Sequence, residues 1–170
     1  MPDVSDFVLL SVINWLHLFA VVIWFGGFFT NILVLVPSLR ESFEPAAMGP
    51  FMGTFSKRFR RLVYLSIVVL LVTGVAMLLL NKEYLGLLDL GNEWSILMMI
   101  KHIFVLTMIG IAVYMFEVVF PKIGRLAAKG PSPELARVQK LQIRLGSIGF
   151  VVALAILAFT AVTTAISALP

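Results

Sequence analysis

The sequence contains no cysteine and is poor in charged residues. Without cysteine the chain has no disulfide, no thiolate metal site and no Cys-x-x-Cys-His sequence for covalent haem attachment. Charged residues make up only 13% of the 170 residues, whereas soluble domains have about a quarter. So few charges cannot cover a water-exposed surface. Together with the hydrophobic content of 61%, this indicates that lipid surrounds most of the chain.

Four long apolar runs separate the few charged residues. Each has the roughly 20 apolar residues that a helix needs to cross a bilayer. They predict an all-α integral membrane protein, with one four-helix transmembrane bundle over residues 1–170. The acidic segment before the first run lacks the basic start of a secretory signal, so we expect that run to be retained as a helix. The runs cover Phe7–Leu39, Leu62–Leu80, Ser95–Ile123 and Leu145–Leu169.

Basic residues are concentrated on one side of the predicted membrane. The loop between the second and third runs has only Lys82, and the N-terminal segment has no basic residue. By the positive-inside rule, the other two loops are cytoplasmic and both termini lie outside, as in a prokaryotic inner or plasma membrane. The net charge of +4 therefore reflects topology, and we expect no nucleic-acid partner. The basic residues of the two loops and their borders are Arg40, Lys57, Arg58, Arg60, Arg61, Lys122, Arg125, Lys129, Arg137, Lys140 and Arg144.

The two halves of the chain resemble each other. His17-Leu18-Phe19 in the first run matches His102-Ile103-Phe104 in the third, and each is followed by a proline, a basic loop and an Arg-Leu helix start. The pattern predicts two tandem helical hairpins related by an axis along the membrane normal. His17 precedes Pro37 by 20 residues and His102 precedes Pro121 by 19. At 1.5 Å per residue, the two histidines differ in depth by only ~1.5 Å.

Two ionisable side chains at one depth in a bilayer indicate a functional site, because such residues are costly in lipid. Helices that face each other diagonally in a bundle are too far apart for the two imidazoles to meet. The gap suits a flat macrocycle with a central metal, so we predict haem b between His17 and His102 as its metal ligands. Copper is the alternative, because Met98 and Met99 precede His102 and thioether with imidazole can hold Cu(I).

Several other residues bear on this site. Lys101 is charged and lies within the third run, where it can extend to the interface, pair with a haem propionate or replace His102 as ligand. Lys82 is a second candidate for the propionate. Small residues and threonines allow close helix or macrocycle approach or orient an imidazole, but they equally fit ordinary helix packing and bonds to their own backbone. These are Gly26, Gly27, Gly110, Ala112, Gly146, Gly149, Thr160, Thr163 and Thr164.

The chain also resembles a known family. Trp15-Leu16-His17-Leu18-Phe19-Ala20, Trp24-Phe25-Gly26-Gly27, Leu35-Val36-Pro37, Arg60-Arg61-Leu62, Val72-Thr73-Gly74 and Lys101 are similar to the copper-resistance D (CopD-like) membrane domain. The same layout resembles the HemJ-type protoporphyrinogen oxidases, four-helix proteins that bind haem b. The resemblance to the HemJ-type oxidases implies functional roles for His17 and Lys101. His102 departs from both patterns and favours a second imidazole ligand. Trp24 and Gly27 are further candidates for cofactor contact.

These observations favour a small b-type cytochrome that transfers electrons within the membrane. A quinone or another membrane redox subunit is the expected partner, and the chain is expected to belong to a homo- or hetero-oligomer or a larger complex. CopD-like copper transport or binding and HemJ-like protoporphyrinogen oxidation are the alternatives, so the sequence leaves open whether the chain is an enzyme.

Overall fold

The computed structural model describes residues 4–42, 45–81, 86 and 91–168, so the proposed propionate partner Lys82 lies outside the described residues. Within these residues, four helices are long and apolar enough to cross a membrane, which confirms the predicted all-α membrane fold. We number them in chain order as spans 1 to 4. Their bounds are Val4–Leu39, Phe51–Leu79, Glu93–Ala127 and Pro133–Ala168.

The helices continue past the apolar runs that predicted them. The α-helix of span 2 is Pro45–Leu79, although its apolar run begins only at Leu62, and the helix of span 4 is Pro133–Ala168. An apolar run marks the thickness of the hydrocarbon layer and not the length of the helix. In span 4 the flanking stretch before Leu145 is rich in residues with good helix propensity, such as Leu, Ala, Gln, Lys and Arg, so the helix extends into the segment predicted as a loop.

A tight turn joins spans 3 and 4. The helix of span 3 ends at Ala127, and Gly130 adopts a φ of +96°, a conformation that L side chains rarely take. The hydroxyl of Ser132 then accepts a hydrogen bond from the backbone N–H of Leu135 at 3.2 Å, which caps the next helix. Pro133 takes the first helical position, where its missing N–H costs nothing.

The spans are arranged as the two tandem hairpins that the internal repeat predicts. The closest backbone packing lies between spans 1 and 2 and between spans 3 and 4. One hydrophobic core joins the two hairpins and takes buried side chains from all four spans. Those side chains are Trp24, Phe25, Val63, Ile67, Met108, Ala112, Phe116, Val152, Ala153 and Ile156.

Each hairpin contains a π-helical turn just before its proline. Asn31–Leu35 ends two residues before Pro37, and Met115–Val119 ends two residues before Pro121. Proline has no N–H to donate and its ring clashes with the carbonyl four residues earlier, so the helix widens to the i→i+5 pattern at this point. The two turns occupy equivalent positions, and this supports the tandem repeat at the level of the backbone.

Span 1 has a further π-helical turn, Val22–Gly26, for which span 3 has no counterpart in its described residues. A π turn holds one residue more than an α turn, and the stretch from His17 to Pro37 is one residue longer than the stretch from His102 to Pro121. The extra turn therefore takes up the extra residue. This brings the two histidines into equivalent positions relative to their prolines. We call the end of the bundle with His17, Lys101 and His102 the histidine end, and the end with Arg60 and Lys122 the basic end.

Candidate metal centre

The His17 imidazole is held by the neighbouring helix of its own hairpin. Its Nδ1 lies 2.8 Å from the hydroxyl oxygen of Thr73 in span 2. That hydroxyl donates its only proton to the backbone carbonyl of Val69 at 2.6 Å, so it accepts from His17. The proton of the neutral ring is therefore on Nδ1, and Nε2 carries a free lone pair. A second-shell hydrogen bond of this kind fixes the tautomer and ring orientation of metal-binding histidines.

Gly74 allows the imidazole of His17 to pack closely against span 2. A Cβ atom added at Gly74 would lie 3.4 Å from Cε1 of His17, at the edge of van der Waals contact. The imidazole therefore rests against the helix backbone of span 2, with Thr73 beside it and 6% exposed. In the sequence, Thr73 and Gly74 are distinguished only as part of a family-like motif. The signal available was a threonine next to a glycine inside an apolar run, where a polar side chain needs a partner.

His102 is held by its own helix instead. Its Nδ1 donates to the backbone carbonyl of Met98 at 2.6 Å, one turn earlier in span 3. This bond again leaves Nε2 free to bind a metal. Among the described residues no hydrogen bond joins the two imidazoles. The ring of His102 is half-buried, as is that of His17.

Lys101 and His17 interact electrostatically, although they belong to different hairpins. Lys101 is half-buried and forms no salt bridge with an acidic side chain of the described residues. Consecutive residues on an α-helix point about 100° apart. Lys101 and His102 therefore occupy different positions around the histidine end, and one site can use the first as a cation and the second as a ligand.

Trp24 and Gly27, the other two candidates, are placed differently. Trp24 is 3% exposed in the central core and lines a cavity that neither histidine lines. A Cβ atom added at Gly27 would lie 2.5 Å from Cε2 of Phe59 in span 2. Gly27 therefore permits close packing within the first hairpin, which was the ordinary alternative to cofactor contact.

The remaining small residues either permit close helix packing or have no neighbouring side chain to contact. Gly149 lets Phe28 approach span 4, whereas Gly26 and Gly110 face open space. The hydroxyls of Thr160 and Thr163 donate to carbonyls of their own helix, and within the described residues the imidazoles bond to Thr73 and to the carbonyl of Met98 instead.

The described residues contain no cluster of three or more His, Cys, Asp or Glu side chains that could hold a metal ion. Within the described part of the chain, the histidine end offers the two imidazole Nε2 atoms and the amine of Lys101 as nitrogen ligands. Four bonds to a bare ion would require methionine or backbone ligands in addition. A porphyrin supplies four nitrogens of its own and requires only one or two axial ligands from the protein.

A family profile for copper resistance protein D (CopD) matches residues 53–163, which is more than half of the chain. The chain belongs to the CopD family. The matched region includes Thr73, Gly74, Lys101 and His102, and His17 precedes it. The CopD resemblance inferred from the short motifs is thereby confirmed. Searches of curated proteins and of solved structures find no match to the chain.

Proposed function

We propose that this CopD-family protein is a small b-type cytochrome, with haem b bound at the histidine end and His17 as its principal ligand. The observation that carries the proposal is the hydrogen bond from His17 Nδ1 to Thr73, which fixes the ring and leaves Nε2 free. A histidine with only a structural role has no need of a free ring nitrogen inside lipid, where unpaired polar atoms are costly.

The residues of the histidine end fit an iron porphyrin in three respects. His17 and His102 belong to opposite hairpins and each presents Nε2. The closest backbone packing is within the hairpins and not between them. Lys101, a cation without an acidic partner among the described residues, is available to a propionate carboxylate. Bound there, the group would supply one-electron transfer.

Electron transfer also requires partners. The spans leave many large apolar side chains exposed to lipid, including Phe7, Leu106 and Val151. We propose that the protein exchanges electrons with a membrane quinone or with another membrane redox subunit, and that the basic end faces the cytoplasm by the positive-inside rule. Labelling of single cysteines introduced at each end, in intact cells, tests this orientation.

A visible spectrum of the purified protein tests the haem proposal. We expect a Soret band and a reduced-minus-oxidised spectrum typical of b-type haem, with iron in metal analysis. His17→Ala should lose the bound haem, whereas Thr107→Val should keep it because the Thr107 hydroxyl bonds only to its own helix. A protein prepared with haem available that shows no Soret band would contradict the proposal, and so would an unchanged spectrum in His17→Ala.

Copper binding is the second candidate, and the family match favours it because the family takes its name from copper resistance. The ligands in this case are His17 or His102 with the thioether of Met98, one turn before His102 in span 3. Metal analysis separates the two candidates. Copper at one equivalent without iron, lost in Met98→Leu, would replace the haem proposal.

HemJ-like protoporphyrinogen oxidation stays a prediction from the sequence resemblance, and the electrostatic interaction of Lys101 with His17 supports it. Growth of a strain that lacks its own protoporphyrinogen oxidase measures this activity. Rescue by the wild-type chain and not by Lys101→Ala would favour it, and failure of the wild-type chain to rescue would exclude it.

A further inference from the structure

A second site lies between the histidine end and the basic end. It is a partly open cavity of about 280 Å³ lined by side chains from all four spans. At about 30 Å³ per water, this is room for roughly nine water molecules. Its volume is at the low end of the range for small-molecule pockets, about 300–1,000 Å³. The cavity is therefore the size of one substituted ring and is a separate site from the histidines.

The wall of the cavity combines aromatic and neutral polar side chains and reaches the basic end. Six aromatic side chains line it, and it contains no charged residue. Four neutral polar side chains stand among them, and none of the four has a hydrogen-bond partner among the described residues. The aromatic residues are Trp24, Phe28, Phe55, Phe59, Phe116 and Phe120, and the polar residues are Asn31, Ser56, Gln142 and Ser147.

The half-buried amide of Asn31 is available to a ligand. Asn31 lies within the first apolar run, where an amide without a hydrogen bond is costly, whereas Gln142 lies between Lys140 and Arg144 at the basic end. Asn31 is half-buried at the start of the π-helical turn before Pro37. Its NH₂ group and that of Gln142 can donate to carbonyl oxygens. A ligand that satisfies them has hydrogen-bond acceptors, is neutral, and has a flat ring that packs against aromatic side chains.

The cavity also adjoins lipid. Ile32 and Val36 of span 1 and Ile143 and Ser147 of span 4 form part of its wall, and both span 4 residues are exposed on the lipid side of the bundle. A ligand with a long apolar tail can therefore place its ring inside and leave the tail among the acyl chains.

We infer that this cavity binds the head ring of a membrane quinone. A quinone is neutral and flat, has two carbonyl acceptors and enters from lipid. Trp24 and Met108 line the cavity and lie seven and six residues beyond His17 and His102, so the ring would lie about 10 Å along the helices from the histidines. The inference extends the proposed electron transfer by assigning a place to its quinone, but binding of the ring does not require a bound metal.

Trp24 serves as a natural reporter for this site. We would use the full chain with Trp15→Phe and Trp94→Phe in phosphatidylcholine nanodiscs and titrate a decyl-substituted benzoquinone. We expect saturable quenching of the Trp24 fluorescence at one quinone per chain. Decylbenzene has a ring and tail but no carbonyl, so it should not displace the quinone.

Variants test the named contacts. Asn31→Leu should weaken binding by up to about tenfold because a hydrogen-bond donor is lost. Ala112→Phe should abolish binding by filling the cavity, whereas Ala161→Phe, on the exposed side of span 4, should leave it unchanged. Quenching that does not saturate, displacement by decylbenzene, or full binding in Asn31→Leu would overturn the inference. His17→Ala should bind quinone normally, so failure of the haem proposal and failure of this one give different results.

Discussion

At the basic end, the two hairpins share a feature of the backbone, since in each a π-helical turn ends two residues before a proline. At the histidine end, equivalent histidines have different partners. His17 donates to Thr73 of the neighbouring span, whereas His102 donates to the carbonyl of Met98 in its own span. The repeat is thus kept where it shapes the helices and has diverged where it holds the imidazoles.

The divergence has a simple origin in the second helix of each hairpin. Counting from the matching Arg61-Leu62 and Arg144-Leu145 starts, the counterpart of Thr73 in span 4 is Ile156. Isoleucine cannot accept a hydrogen bond, so His102 has no such partner in the other helix of its hairpin. One imidazole is therefore fixed by tertiary structure and the other by its own helix. We expect the first to be the firmer ligand.

The largest expected effect is the difference between the two histidine variants. His17→Ala should lose the bound haem, or copper if that is the ligand, because the imidazole fixed by Thr73 is removed. His102→Ala should keep the group with an altered spectrum, because the first ligand and its support remain. Metal content and the visible spectrum of the purified variants measure both effects. Equal loss in the two variants would remove the distinction between the hairpins.

The second prediction makes the first hairpin resemble the second. Thr73→Ile removes the acceptor of His17 Nδ1, and outer-shell partners of this kind are worth about 10–100-fold in metal affinity. We expect a loss of that size, measured by competition for the metal group. Thr107→Val is the matched control, since its hydroxyl donates only to the carbonyl of Ile103. An unchanged affinity in Thr73→Ile would show that the hydrogen bond does not support the site.

The comparison of hairpins also shows what a sequence of this kind can and cannot predict. Apolar runs predicted four spans, and the paired His and Pro positions predicted the tandem hairpins. The helix starts at Pro45 and Pro133 were missed, because an apolar run reports the membrane thickness and not helix propensity. The run of threonines in span 4 suggested support for an imidazole, yet the support comes from Thr73 in span 2.

The reason for that last difference is geometric. Residue spacing gives the depth of a side chain and its position around its own helix, but not the rotation of one helix against the next. Thr160 and Thr163 bond to their own carbonyls, as a hydroxyl in a helix can do anywhere. Only packing shows which threonine faces His17. The cavity lined by four spans could not be read from the sequence for the same reason.

The third prediction concerns packing inside the first hairpin. Gly27→Ala places a Cβ atom 2.5 Å from Cε2 of Phe59, so the ring must shift. Overpacking of this kind costs about 1–3 kcal/mol, measured as the free energy of unfolding in detergent. Gly26→Ala is the control, because no atom lies within 4 Å of its added Cβ, and it should be neutral or stabilising by about 0.5–1 kcal/mol. Similar behaviour of the two variants would contradict the close packing of spans 1 and 2 at Gly27.

The smallest expected effect is at the basic end, where a polar network joins the two hairpins. Glu117 of span 3 accepts a hydrogen bond from the Tyr64 hydroxyl at 2.5 Å and forms a salt bridge with Arg60 at 3.4 Å, both in span 2. The side chains of Arg60 and Glu117 are 40% and 46% exposed, so water and salt screen the pair. Such pairs contribute about 0–1 kcal/mol. Glu117→Gln keeps an oxygen for Tyr64 and should lower the free energy of unfolding by no more than this, with metal content unchanged. A larger loss of stability, or a loss of metal, would mean that contact between the hairpins at the basic end controls the histidine end.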